Sequence, residues 1–211
     1  MAGGRFNHPI FARWYARMST AMESEIGSRR DQLLAELTGR VIEVGCGNGL
    51  NFTHYPAGVT EVLAVEPDPY LRGLAERHAA KAAVPVRVVD GDAEHLPAGD
   101  AAFDAAVVSL VLCSVPDQAR ALKELRRVLH DGGQLRFLEH VRADSRRLAR
   151  VQRLLDATVW PAVGGGCHAS RDTANAIRHA GFTIGRLDHF TFPQTRVPLP
   201  TSPHIIGQAT S

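Results

Sequence analysis

Two hydrophobic periods alternate along this chain. Short runs of apolar, mostly β-branched residues occupy positions 41–44, 61–66, 86–89, 103–112 and 134–139. Nearly continuous apolar runs of this length are expected of strands buried on both faces of a parallel sheet. Between them lie segments with apolar residues every three or four positions, as in helices at 50–55, 68–83, 118–129, 144–159 and 170–180. Asp68 and Asp117 stand where helix N-caps belong. Two further runs, 182–192 and 204–210, follow the last helix and are joined by a Pro-rich link, so they are expected to pair antiparallel. The expectation is an α/β fold: a Rossmann-like three-layer sandwich whose mostly parallel seven-stranded sheet ends in an antiparallel strand pair.

The first segment differs. Residues 9–37 read as helix, with Ile10, Phe11, Trp14, Tyr15, Met18, Met22 and Ile26 at helical spacing and a break expected at Gly27-Ser28. Either this face packs on the domain as an extra helix, or it is a lid whose Phe11, Trp14 and Tyr15 meet a substrate. With it, residues 1–211 form one domain: an N-terminal helical lid (1–38), a cofactor-binding core (39–141), and substrate-side helices with the terminal strands (142–211).

Composition narrows the classes. The 211 residues are 45% hydrophobic and 22% charged, ordinary for a globular protein, and the net charge of +2 with no long basic run gives no case for a nucleic-acid binder. No apolar stretch approaches the ~20 residues of a membrane span, and the first eight residues lack a signal-peptide core. The three cysteines, Cys46, Cys113 and Cys167, are far apart and read as separate reduced thiols of a cytoplasmic protein. The ten histidines are scattered, with no paired spacing, so no metal site is expected.

The chemistry concentrates at Glu43-Val44-Gly45-Cys46-Gly47-Asn48-Gly49-Leu50-Asn51. A strand runs into a glycine turn and then a helix, a junction that bares backbone N–H groups to a ligand. Glu66, 21 positions after Gly45, ends the second strand where an acid receives ribose hydroxyls. Glu43, just before the glycines, would repel a pyrophosphate and argues against a nicotinamide-dependent reductase. It suits a ligand with a cationic amine, and S-adenosyl-L-methionine carries adenosine, sulfonium and ammonium together. Asp92-Ala93 after the third strand can receive the adenine amino group or form an ordinary Asx turn. Ser109-Leu110-Val111 end the fourth strand at the sheet edge where ligands bind in such folds.

In order, residues 41–49, Glu66, Gly91-Asp92-Ala93 and 128–133 resemble the signatures of class I S-adenosylmethionine-dependent methyltransferases. Residues 45–52 with Tyr55-Pro56, 110–115, Glu139-His140-Val141 and Gly166-Cys167 resemble a narrower group that includes alkyl thiol methyltransferases. The eukaryotic members carry a hydrophobic membrane anchor, which is not expected here. The resemblance implies a donor site of Glu43, Gly45, Cys46, Gly47, Gly49, Asn51, Glu66, Pro67, Asp92, Ala93, Ser109 and Leu110. It implies in-line methyl transfer to a small molecule, with sulfur the first choice of acceptor and oxygen or carbon of a phenolic or quinone-like compound the second. A methyltransferase-fold module without catalysis is the third reading. Phe11, Trp14, Tyr15, Val111 and Trp160 are expected to shape the acceptor pocket. His140 is either a base that takes the proton of an acceptor thiol or a structural residue. Direct transfer needs no nucleophile, so neither Cys113 nor Cys167 is assigned one, and Cys167-His168 is not read as half a metal site.

Overall fold

The computed structural model describes residues 9–158, 160–194 and 199–211. The expected opening segment (1–8), the end of the helix expected over 144–159 and part of the Pro-rich link lie outside them.

The first half of the sheet follows the sequence pattern, except that the fourth strand, expected over 103–112, stops at Ser109 because Leu110 turns left-handed. Its strands are β1 (Gly39–Val44), β2 (Val59–Val65), β3 (Val86–Val89), β4 (Phe103–Ser109) and β5 (Leu129–His140), all parallel. β6 (Thr183–Thr191) and β7 (Pro203–Thr210) pair antiparallel, and β7 also runs antiparallel to β5. The order is β3-β2-β1-β4-β5-β7-β6, so the strand sequence reverses between β1 and β4. In open α/β sheets that reversal opens a crevice at the carboxyl ends of the two strands. Ile42, Val44, Ala106 and Val108 bury toward one face of the sheet, and Val41, Ala105 and Val107 toward the other. The helices cover both faces: α1 (Pro9–Ala21), α2 (Glu23–Leu34), α3 (Pro69–Ala79), α4 (Gln118–Val128), α5 (Arg146–Asp156), α6 (Trp160–Val163) and α7 (Thr173–His179). Asp68 caps α3 by accepting from the N–H groups of Tyr70 and Leu71, and Asp117 caps α4 through Arg120.

Four further local expectations are corrected. The N-terminal helix breaks at Met22, and Gly27 sits inside α2. Glu23 pairs with Arg30 within that helix and contacts His54 outside it, which offsets part of the ~1 kcal/mol that a mid-helix glycine costs. The helix expected after the glycine turn is one 3-10 turn, Leu50–His54, ended by Pro56. The buried face of α1 is Ala12, Ala16 and Ser19, while Ile10 is 85% and Trp14 53% exposed. The glycine-rich loop after Trp160 begins with the short helix α6.

Candidate active site

The turn from β1 to the 3-10 helix places Gly45, Gly47 and Gly49 at positive φ, which L side chains rarely adopt. A Cβ on Gly45 would lie 2.5 Å from Val111 Cγ2, so the β1 and β4 ends close on each other across the crevice. Glu66 is buried beneath the turn; its Oε2 accepts from the Gly47 N–H at 2.8 Å and its Oε1 from the Asp68 N–H at 2.9 Å. Burial raises its pKa from 4.5 to about 7 against those two hydrogen bonds.

Glu43 and Asn51 face one another. Asn51 Nδ2 donates to Glu43 Oε1 at 2.8 Å, and the Tyr55 hydroxyl donates to Oε2 at 2.7 Å. Arg30 completes the chain by donating to Asn51 Oδ1 at 2.7 Å. Both carboxylate oxygens of Glu43 are thus engaged by protein groups, and burial raises its pKa to about 7. Asp92 accepts from the Glu94 N–H at 2.8 Å in an Asx turn, with Ala93 buried beside it. Pro67 and Ser109 are half-buried at the ends of β2 and β4, and Leu110 takes the left-handed conformation at φ 60°.

The aromatic stripe of α1 leans over this turn. The Tyr15 ring lies where a Cβ on Gly47 would meet its Cε1 at 3.3 Å, and the Phe11 ring fills the space a Cβ on Gly165 would need, 2.3 Å from Cζ. Ser19 accepts from Asn48 Nδ2 at 3.2 Å, tying the far end of α1 to the same turn. Burial pushes the Tyr15 phenol up to about 12, with Glu66, Cys113 and Cys46 acting in the same direction. Tyr15 is therefore a neutral phenol between the donor turn and the next loop. Trp14, 53% exposed, lies on the outer side of the helix.

Beyond Val111, Glu139 is wholly buried and accepts three backbone N–H groups: Val111 and Leu112 on Oε1, each at 3.0 Å, and Cys113 on Oε2 at 3.1 Å. The Cys113 carbonyl accepts from the His168 N–H at 2.8 Å, so this loop is held from both sides. His140 Nδ1 lies 3.2 Å from Cys167 Sγ, and its ring centroid is 4.8 Å from that of His204. Cys113, His140 and Cys167 are all buried, with their donor atoms within 4.8 Å of one another. The neighbouring Cys113 and His140 lower Cys167, while the neighbouring Cys167 and burial raise Cys113. Cysteines expected to be separate thiols are neighbours. Trp160, one of the expected pocket residues, is half-buried beside Cys167, and among the described residues its buried indole N–H has no partner within hydrogen-bond geometry. Glu139 was not among the sequence candidates, though an acid directly after the apolar pair Phe137-Leu138 at the carboxyl end of a strand was a usable signal.

Comparison with known proteins defines the class first. The family described as a methyltransferase domain matches residues 42–137, the β1-to-β5 segment. The structure superposes on the crystal structure of a putative methyltransferase from Bacillus halodurans with a TM-score of 0.69 and 17% identity, covering 87% of this chain and 97% of that one. A possible histamine N-methyltransferase from Thermotoga maritima gives a TM-score of 0.66 and 22% identity over 95% and 98% of the two chains. At such identities these likenesses show the fold alone, a Rossmann-like methyltransferase fold. In sequence, the thiol S-methyltransferase TMT1B of Rattus norvegicus is 34% identical over 95% of this chain and 82% of its own length. TMT1A of Homo sapiens is 32% identical over 95% and 87%. The chain belongs to the S-adenosylmethionine-dependent methyltransferase family that includes these proteins.

The residues present fit that donor. The three glycines contribute no side chains of their own to the turn, and buried Glu66 meets only backbone N–H groups there. Among the described residues no helix is long and apolar enough to cross a membrane.

Proposed function

We propose that this protein transfers a methyl group to the sulfur of a small-molecule thiol. The observation that carries this reading is the extent of the sequence likeness. It spans 95% of the chain in two thiol S-methyltransferases, and so takes in the loops on the acceptor side as well as the donor turn. Demethylmenaquinone methyltransferase of Thermus thermophilus is 31% identical but over only 64% of the chain. That shorter likeness keeps carbon methylation of a quinone-like acceptor as the second reading. A neighbour named as a [4+2]-cyclase, with a TM-score of 0.70, illustrates that this fold does not by itself dictate methyl transfer.

When bound, S-adenosylmethionine supplies an electrophilic methyl on a sulfonium. In this reading Gly45, Cys46, Gly47 and Gly49 hold it with backbone, while Glu66 and Pro67 take the ribose side. Asp92, Ala93, Ser109 and Leu110 border the adenine. Glu43 and Asn51 shape the wall behind the turn through their mutual hydrogen bond. Tyr15 closes the turn from above and excludes water, which strengthens attraction between an anionic acceptor and the donor's cation. Phe11, Val111 and Trp160 shape the acceptor side. In this reading His140 is the group that assists ionisation of the acceptor sulfur, as its base or by holding whatever else binds that sulfur. Holding the two reactants in line can supply several kcal/mol of the barrier lowering. Three free cysteines suit a reducing cytoplasm.

The test is a methylation screen of thiols, phenols and quinols with the purified chain, read by mass spectrometry. Thioether products from thiols are expected. Methylation confined to oxygen or carbon would overturn the sulfur reading. Glu66→Ala should weaken S-adenosylhomocysteine binding by roughly 1–3 kcal/mol, the cost of leaving buried hydroxyls unpaired.

A further inference from the structure

We propose that Cys113, His140 and Cys167 form a binding site for a thiophilic divalent metal, zinc above all, whose fourth position takes the acceptor as a thiolate. The proposal rests on the thiol reading above for its acceptor, and on geometry for its metal.

Two thiols and an imidazole, the ligand types zinc favours, converge with their donor atoms within 4.8 Å, and His140 Nδ1 is already 3.2 Å from Cys167 Sγ. A tetrahedral zinc with Zn–S of ~2.3 Å and Zn–N of ~2.0 Å needs edges of about 3.5–3.8 Å, within reach of small side-chain movements. All three residues are at most 8% exposed. Buried soft ligands gathered this closely, with Ser114 Oγ also 3.5 Å from Cys113 Sγ, are an arrangement that a cation satisfies and that apolar packing does not require.

The backbone around them is rigidly held. Glu139 fixes Cys113 from the N–H side, and the His168 N–H fixes it from the carbonyl side. A Cβ on Gly166 would lie 2.9 Å from the Ser114 carbonyl, so the loop bearing Cys167 packs directly on the loop bearing Cys113. The His140 ring packs against His204, whose Nδ1 lies 2.8 Å from the Ser202 carbonyl. Such supporting contacts orient ligands before the metal arrives.

Location gives the site its chemistry. Cys113 lies two residues past Val111, which packs on Gly45 of the donor turn. Three protein ligands leave one coordination position for substrate, as catalytic zinc sites do, whereas a structural site would be closed by a fourth. An acceptor thiol that coordinates there releases its S–H proton to solvent. Its sulfur lone pair then forms the bond to the methyl carbon as the carbon–sulfonium bond breaks, that electron pair remaining on the donor sulfur. The thioether product is a weaker ligand than the thiolate and leaves. His140 then acts as a metal ligand, not as a base.

The test uses the reduced full-length chain, stripped with a chelator and titrated with cobalt(II), then with zinc(II) in competition. Expected is a thiolate-to-cobalt charge-transfer band that saturates at one metal per chain and is displaced by zinc. Cys113→Ser and Cys167→Ser should abolish it and His140→Ala weaken it at least tenfold, while His179→Ala, at the exposed end of α7, leaves it unchanged. S-adenosylhomocysteine binding by each variant checks that the fold survives, and the wild-type spectrum needs no variant. Adding a small thiol should shift the band, and its methyl thioether should not. No band, or recovery of Cys113 and Cys167 as a disulfide from protein trapped at isolation, overturns the metal site. A band indifferent to every thiol, or full thiol methylation by metal-free protein, overturns the acceptor role. A thiol-responsive band without any thioether product leaves the metal site standing and sinks the thiol-transfer reading instead.

Discussion

Three glutamates, Glu43, Glu66 and Glu139, are almost wholly buried at the carboxyl edge of the sheet, and burial lifts each from 4.5 to about 7. They differ in what they hold. Glu66 meets backbone N–H groups at the donor turn and must be ionised to accept hydroxyl hydrogen bonds well. Affinity for S-adenosylhomocysteine should therefore rise with pH through about 7 and then level off, with proton release on binding near pH 6.5. Calorimetry in two buffers of different ionisation enthalpy measures this, and a flat profile between pH 6 and 8 would refute it. Glu139 accepts three N–H groups and has no ligand-facing role. Glu139→Gln turns an amide donor toward one of those N–H groups. It should lower stability by about 1–3 kcal/mol in chemical denaturation and reduce methyl transfer more than donor affinity, because it loosens Cys113.

Among the elements, α1 has the most conditional placement. It is anchored on α3 through Ala12, Ala16 and Leu71 and tied to the turn through Ser19 and Asn48. Its other end carries exposed Ile10 and Trp14 and rests on the loop after α6 through Phe11 and Gly165. With Tyr15 over Gly47, the proposed lid role has this helix shift as a donor enters. Gly165→Ala, at φ +60° and with its Cβ 2.3 Å from Phe11 Cζ, should displace that end of the helix. Expected are faster association and faster release of S-adenosylhomocysteine in stopped-flow fluorescence of Trp14, with folding cooperativity kept. Unchanged rates would mean that α1 is fixed packing, not a lid.

The whole molecule couples these features to solution conditions. Each raised carboxylate binds more protons folded than unfolded between its ordinary pKa of 4.5 and about 7. By linkage their combined contribution to stability is fullest at or below pH 4.5 and is lost as pH rises through 7. Thermal melts across pH 5–8 should give a steeper fall for wild type than for Glu43→Gln. Equal slopes would remove Glu43 from the account. S-adenosylhomocysteine at a hundred times its Kd should add about 2.7 kcal/mol, a shift of several degrees in Tm. No shift would favour a module that has the fold without the cofactor.

What the sequence determined by itself is whatever depends on neighbours along the chain. The strand–helix alternation, the caps at Asp68 and Asp117, the glycine turn and Glu66 at the end of β2 are local matters of period, conformation and spacing. The break at Met22 and the short turn after Gly49 escaped it because contacts from elsewhere, Glu23 with His54 and Asn51 with Glu43, overrode local preference. Only the tertiary structure decided that Tyr15 covers Gly47 and that Cys113, His140 and Cys167 meet. Those three residues stand 27 positions apart in turn along the chain, and no spacing rule joins them. They meet because β4 and β5 are adjacent in the sheet and the loop after α6 folds back over their ends.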